Sequence, residues 1–230
     1  DLTTLDPADW FKLTDPEGQI GAAPTGIGDI NGDGYGDFAI GALFASPGGL
    51  TSAGSAYVVF GKAGGFSDVD LSTLDGTNGF RVNGAAAYDG AGWVAGGDVN
   101  GDGYDDLILS AFRADPNGAP EAGSVYVIFG HSGSFAPDVT TLDGNNGFRV
   151  DGVTPSNELG FTASAGDVNG DGYADIIMGA PNRIGASNTD PGAAYVVFGH
   201  AGGFDPSIDV SSMTAAQGFA ITADTDGSRP

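Results

Sequence analysis

The chain has 230 residues, with 30 acidic against seven basic side chains, a net charge of −23 and an apolar share of 40%. That charge excludes nucleic acid and anionic membrane surfaces as partners, since both need a basic face, and the apolar share excludes intrinsic disorder. With 42 Gly, 12 Pro and no Cys, the composition predicts an all-β protein of tight turns without a disulfide framework.

The chain opens on Asp1-Leu-Thr-Thr-Leu-Asp6 and a short strand pattern, Trp10-Phe-Lys-Leu13. Then comes Asp29-Ile-Asn-Gly-Asp-Gly-Tyr-Gly-Asp37, with oxygen-bearing side chains at loop positions 1, 3, 5 and 9 and Gly at position 6. This spacing lets a short backbone wrap a hard cation in oxygen, with the carbonyl at position 7 completing the shell. The residues are Asp29, Asn31, Asp33 and Asp37 with the Tyr35 carbonyl, and one bidentate carboxylate would bring the shell to about six or seven oxygens, within the range of Ca²⁺. A metal-free Asn/Gly hairpin would use the same residue types. Three inward acids would then repel one another, which favours the cation.

An EF-hand has a Glu at position 12 and enters a helix. Here position 12 is Ile40, within Phe38-Ala-Ile-Gly-Ala42, a short apolar run that reads as a buried strand. The cation loop is therefore a hairpin between strands. Further along, Tyr57-Val-Val-Phe-Gly61 and Gly79-Phe-Arg-Val82 supply two more strands.

The pattern then repeats. Loops begin at 29, 98 and 167, a spacing of 69 residues each time. The second offers Asp98, Asn100, Asp102, Asp106 and the Tyr104 carbonyl; the third offers Asp167, Asn169, Asp171, Asp175 and the Tyr173 carbonyl. Leu107-Ile-Leu-Ser-Ala111 and Ile176-Ile-Met-Gly-Ala180 follow them, then Tyr126-Val-Ile-Phe-Gly130 and Tyr195-Val-Val-Phe-Gly199, then Gly147-Phe-Arg-Val150 and Gly218-Phe-Ala-Ile221. Ahead of the later loops, 91–97 and 160–166 supply the remaining strand. A fixed period with about four strands per unit is the sequence signature of a β-propeller blade. The unit boundaries are 1–69, 70–138 and 139–208, with a partial fourth unit at 209–230, all in one region spanning 1–230.

The phased Phe-Gly pairs, the Gly-Ala or Ser-Ala pairs (Gly41-Ala42, Ser110-Ala111, Gly179-Ala180) and the nine-residue cation loops together resemble the FG-GAP repeat. That repeat occurs in integrin α-subunit head propellers and many bacterial extracellular proteins, the latter being the expected type here. The resemblance implies blades of four antiparallel strands, with a calcium loop joining the first two strands of each and three Ca²⁺ per chain. It departs in number: integrin-like propellers have seven blades, and this chain holds three full repeats.

Three blades do not readily close, because propellers use about four to eight. Uncovered blade faces at the two ends predict association with another copy, or with further repeats of a longer parent chain. The Trp10–Leu13 strand belongs in phase to a blade whose other strands are not in the sequence. The absence of an initiating Met and of any long apolar run suggests a mature product or an excised piece without a membrane span.

Alternating hairpins put the connections 43–55, 112–123 and 181–193, together with 83–91 and 151–160, on the rim opposite the cation loops. They vary where strands and cation loops do not, carrying Leu43-Phe44, Phe112-Arg113, Asn182-Arg183, Tyr88-Asp89 and Asn157-Glu158. Recognition of another protein or a glycan is expected there. No nucleophile shares a phase with His131 and His200, which argues against catalysis in this region. Weak calcium sites, of about 10⁻⁴ to 10⁻³ M, fill outside the cell, so the expected location is secreted or at the cell surface, in adhesion or recognition. Service as the accessory propeller of a secreted hydrolase, or as a self-assembling filament subunit, stands as the alternative.

Overall fold

The computed structural model describes residues 11–15, 19–181 and 192–222. Short apolar runs bounded by Gly, Pro and Asn become strands, and no α-helix occurs among the described residues. In chain order the strands are β1 (Leu13–Thr14), β2 (Ala22–Gly28), β3 (Asp37–Ala42), β4 (Ser55–Val59), β5 (Val69–Asp70), β6 (Gly79–Asn83), β7 (Ala91–Gly97) and β8 (Asp106–Ala111). They continue with β9 (Ser124–Ile128), β10 (Gly147–Asp151), β11 (Thr162–Gly166), β12 (Asp175–Ala180), β13 (Ala193–Val197), β14 (Ser207–Asp209) and β15 (Gly218–Thr222).

These strands form three blades. The first is β2-β3-β4-β6, the second is β7-β8-β9-β10, and the third is β11-β12-β13-β15, with antiparallel neighbours throughout. The first strands of successive blades lie together, β2 and β3 against β7 and β11 against β7. The architecture is the expected all-β set of four-stranded propeller blades.

Two further pairings tie one unit to the next. β14 runs parallel to β10 on the outer edge of the second blade, with Val150 opposite Ile208. β1 pairs in the same parallel sense with β5, with Leu13 opposite Val69. Blades therefore cut across the 69-residue units: of the stretch 209–230, β15 completes the third blade and does not begin a new one. β2 includes Pro24 and Gly26, has little strand signature of its own and contains two register shifts.

The first two blades are buried on both faces and the third on the face toward the second, which is why the inner strands read as near-continuous apolar runs and not as alternation. Between the first and second blades Val58, Phe80 and Val82 pack with Leu107, Leu109 and Ile128. Between the second and third, Ile108, Val127 and Phe148 pack with Ile176, Met178 and Val197. Burying one such side chain contributes roughly 1.5–3 kcal/mol. The far face of the first blade has its own cluster, in which Ile40, Tyr57 and Val59 meet Leu13, Phe66 and Val69.

Candidate metal centre

The three nine-residue loops join β2 to β3, β7 to β8 and β11 to β12, so each sits at the hairpin between the first two strands of a blade. All three fold the same way, and side-chain oxygens do the folding. In the first loop the Asp29 carboxylate accepts from Gly32 N–H and Gly34 N–H, both at 2.8 Å. Asn31 Oδ1 accepts from Asp33 N–H at 2.9 Å, and Asp33 Oδ1 accepts from Tyr35 N–H at 2.9 Å. The second loop repeats the pattern with Asp98, Asn100, Asp102 and Tyr104, and the third with Asp167, Asn169, Asp171 and Tyr173. The position-6 glycines, Gly34, Gly103 and Gly172, adopt φ of 89°, 89° and 93°, a left-handed conformation that side chains rarely tolerate.

Position 9 is different in kind. Asp37, Asp106 and Asp175 open the second strands and are buried, unlike the exposed acids at position 5 and the half-buried Asp29 and Asp98 and exposed Asp167 at position 1. One oxygen of each accepts from within its own loop, from Ile30, Val99 or Val168 N–H at 2.8–2.9 Å. The other accepts from Gly61, Gly130 or Gly199 N–H, at 2.7, 2.9 and 3.0 Å. These glycines are the second residues of the Phe-Gly pairs, and the cation loop is thereby tied to the end of the third strand. Their smallness is a packing requirement: a Cβ on Gly61, Gly130 or Gly199 would collide with the backbone carbonyl at loop position 8. The sequence holds the signal for this contact, because each glycine lies 24 residues beyond its aspartate, but the composition of the loop alone does not point to it.

The electrostatics follow from that burial. Loss of water pushes the Asp37 carboxyl up to about 6 and the Asp106 carboxyl up to about 8; two backbone donors oppose each shift, and the loop's own acids at positions 5 and 1 add to it. An ionised carboxylate in such a place gains from a nearby cation. Each position-1 carboxylate accepts three backbone N–H bonds, and each position-3 amide oxygen accepts one. Each position-5 carboxylate accepts one backbone N–H and the Asn side-chain N–H; lone pairs remain, since a carboxylate can accept about four bonds. Among the described residues no three acidic or imidazole groups are gathered as a ready cage; like charges stay apart while backbone N–H groups satisfy them. The donor set is all hard oxygen, which fits Ca²⁺ chemistry.

On the opposite rim, Leu43, Phe44, Ser52, Tyr88, Gly90, Phe112 and Arg113 line a cleft of about 90 Å³ between the first two blades. Phe44 and Tyr88 are exposed, and the Arg113 guanidinium lies 5.2 Å from the Phe112 ring centre. Asn182-Arg183 lies outside the described residues. A cavity of about 370 Å³ beside the middle cation loop takes in Asp102, His131, Phe135 and Asn146, with no Ser or Cys in its lining. His131 and His200 stack on Phe135 and Phe204 at 4.1 and 4.0 Å, packing roles that match their shared phase. Tyr57 and Tyr126 are buried.

The model of the FG-GAP repeat family matches residues 25–59, 85–128 and 159–197. The chain is 32% identical to the phosphatidylinositol-glycan-specific phospholipase D of Bos taurus over 178 residues, which is 76% of this chain and 20% of that protein. It is 32% identical to the human protein of the same name, over 74% of this chain and 20% of the relative. To integrin alpha-5 of Xenopus laevis it is 34% identical over 98 residues, 43% of this chain and 9% of that protein. The chain thus spans about one fifth of the phospholipase D relatives and about a tenth of the integrin.

Proposed function

The chain belongs to the FG-GAP repeat family, and we propose that it is a calcium-stiffened, non-catalytic recognition module working outside the cell. The observation that carries this reading is the threefold recurrence of one loop geometry, in which an all-oxygen side-chain set is laced to the backbone and a buried aspartate links it to the Phe-Gly turn. In this reading Asp29, Asn31, Asp33 and Asp37, with the Tyr35 carbonyl, hold one ion, and their counterparts in the other two loops hold one each. The ion supplies charge compensation: it lets the position-9 carboxylate stay ionised where burial opposes it. The chain's own residues do the positioning.

The partner surface in this proposal is the opposite rim, where Phe44, Tyr88, Phe112 and Arg113 offer aromatic faces and one guanidinium between the first and second blades. Such a surface suits a protein or glycan ligand. The names of the phospholipase D relatives favour one second reading, in which the propeller accompanies a hydrolytic domain elsewhere in a longer polypeptide. The cavity beside the middle cation loop, which His131 lines, has no Ser or Cys among the described residues of its lining, which supports binding and not hydrolysis for this stretch.

Calorimetric titration tests the metal assignment. The expected result is three Ca²⁺ per chain, falling to two in Asp102→Ala, whose side chain is exposed and whose loss leaves the other loops intact. No heat of binding, or an unchanged stoichiometry in that variant, would contradict it.

A further inference from the structure

Successive blades are joined in the same way twice, and among the described residues each half of that joint occurs once more without its match. At the cation rim the Tyr104 ring covers Gly32, and the Tyr173 ring covers Gly101, so closely that a Cβ on either glycine would collide with it. The third loop's equivalent, Gly170, has nothing within 4 Å of such a Cβ, while the first loop's Tyr35 is 45% exposed. Ile30 and Val99 are fully buried beneath these joints, yet Val168 at the same position is 50% exposed. Backbone bonds stitch the same seam: His131 N–H to Ile30 C=O and His200 N–H to Val99 C=O, both at 3.0 Å. The counterparts at the ends are Lys62 N–H and Val168 C=O.

The outer edge tells the same story. Phe80 of the first blade stacks on Phe135 at 4.7 Å, and Phe148 of the second on Phe204 at 4.3 Å. The third blade's equivalent, Phe219, is 44% exposed, next to exposed Ile221. The ring that should receive it has its phase at Phe66. That ring instead stacks on Phe11 at 4.6 Å, and the adjoining β1 pairs with β5 in the register that β10 and β14 use in the internal joint. The N-terminal segment thus sits where a preceding blade's outer strand belongs.

We propose that the exposed flank of the third blade docks the first blade of a second copy of this chain, head to tail, with that copy's Tyr35 over Gly170 and Phe219 displacing its Phe11 from Phe66. A second copy fits this seat because the described residues present both halves of a joint that the chain already makes twice within itself. A head-to-tail contact closes into a ring if the rotation allows and otherwise extends. β1 competes for the seat, so it moderates assembly. The inference deepens the recognition reading by naming a partner, but it uses none of the proposed metal ligands' ion binding.

Light scattering on the full chain, in calcium, decides the matter. The expected result is a mass rising above 22.8 kDa, with association in the range up to ~100 μM. Val168→Asp and Phe219→Asp, both at exposed positions, should return it to monomer with an unchanged circular dichroism spectrum. Phe11→Ala should strengthen association by about tenfold, as expected for removal of a competitor that holds the seat most of the time. Calcium titration of the Phe219→Asp monomer reads the metal proposal separately, so the two can fail independently. A monomer for both the chain and Phe11→Ala at ~100 μM would overturn the proposal and point to a further repeat of the same polypeptide as the occupant. Assembly indifferent to both Asp variants would overturn it as well.

Discussion

Gly130 shows how a single residue links motif to structure. Its N–H donates to buried Asp106 at 2.9 Å, and a side chain there would run into the carbonyls of Asp105 and Ile30, the second of which belongs to the preceding blade. Gly130→Ala is therefore expected to cost about 1–3 kcal/mol, the usual range for overpacking a tight site. Urea denaturation checks it, and an unchanged midpoint would show that the turn yields. The oxygens at loop positions 1, 3, 5 and 9 were legible in the sequence because their spacing is local. The Asp106–Gly130 bond, by contrast, joins residues that only strand pairing brings together, and the bond from Asp29 N–H to Asp105 Oδ2 at 2.8 Å joins residues that only the packing of one blade on the next brings together. A side chain read as a ligand thus has a second duty, to hold the backbone turn, that residue type alone does not announce.

At the scale of elements, the second, third and fourth strands of each blade were legible because runs such as Leu107–Ala111 are apolar on both faces and end in small residues. β2 was not, because Pro24 and Gly26 suppress its strand signature and its place is set by β3 on one side and β7 on the other. Equally hidden were β14 and the fate of the N-terminal strand, since parallel pairing across blades is a tertiary outcome. The outer strands carry much of the inter-blade packing. Phe148 is fully buried and stacks on Phe204 with an angle of 2° between the rings; Phe148→Ala is expected to destabilise the fold by about 3–5 kcal/mol. The same change at exposed Phe219 should cost far less in the isolated chain. Equal losses at the two positions, measured by chemical denaturation, would contradict the assignment of Phe219 to an open flank.

For the molecule as a whole, 30 acids against seven bases place strong negative charge around three loops that already hold acids at positions 1, 5 and 9. In the proposed function, calcium balances this charge locally and fixes each hairpin against the next blade. Ligand that binds only the folded state stabilises it by about 1.4–2.7 kcal/mol per site at a ten- to hundredfold excess over its dissociation constant, the excess that ~10 mM calcium gives at sites of about 10⁻⁴ to 10⁻³ M. For a chain of this size each kcal/mol is worth roughly 2–4 °C. The decisive measurement is thermal unfolding of the full chain in millimolar calcium and in excess chelator at equal ionic strength. The account predicts a midpoint lower by at least ~5 °C in chelator, with the difference reduced in Asp102→Ala. Coincident unfolding curves in calcium and in chelator would contradict it.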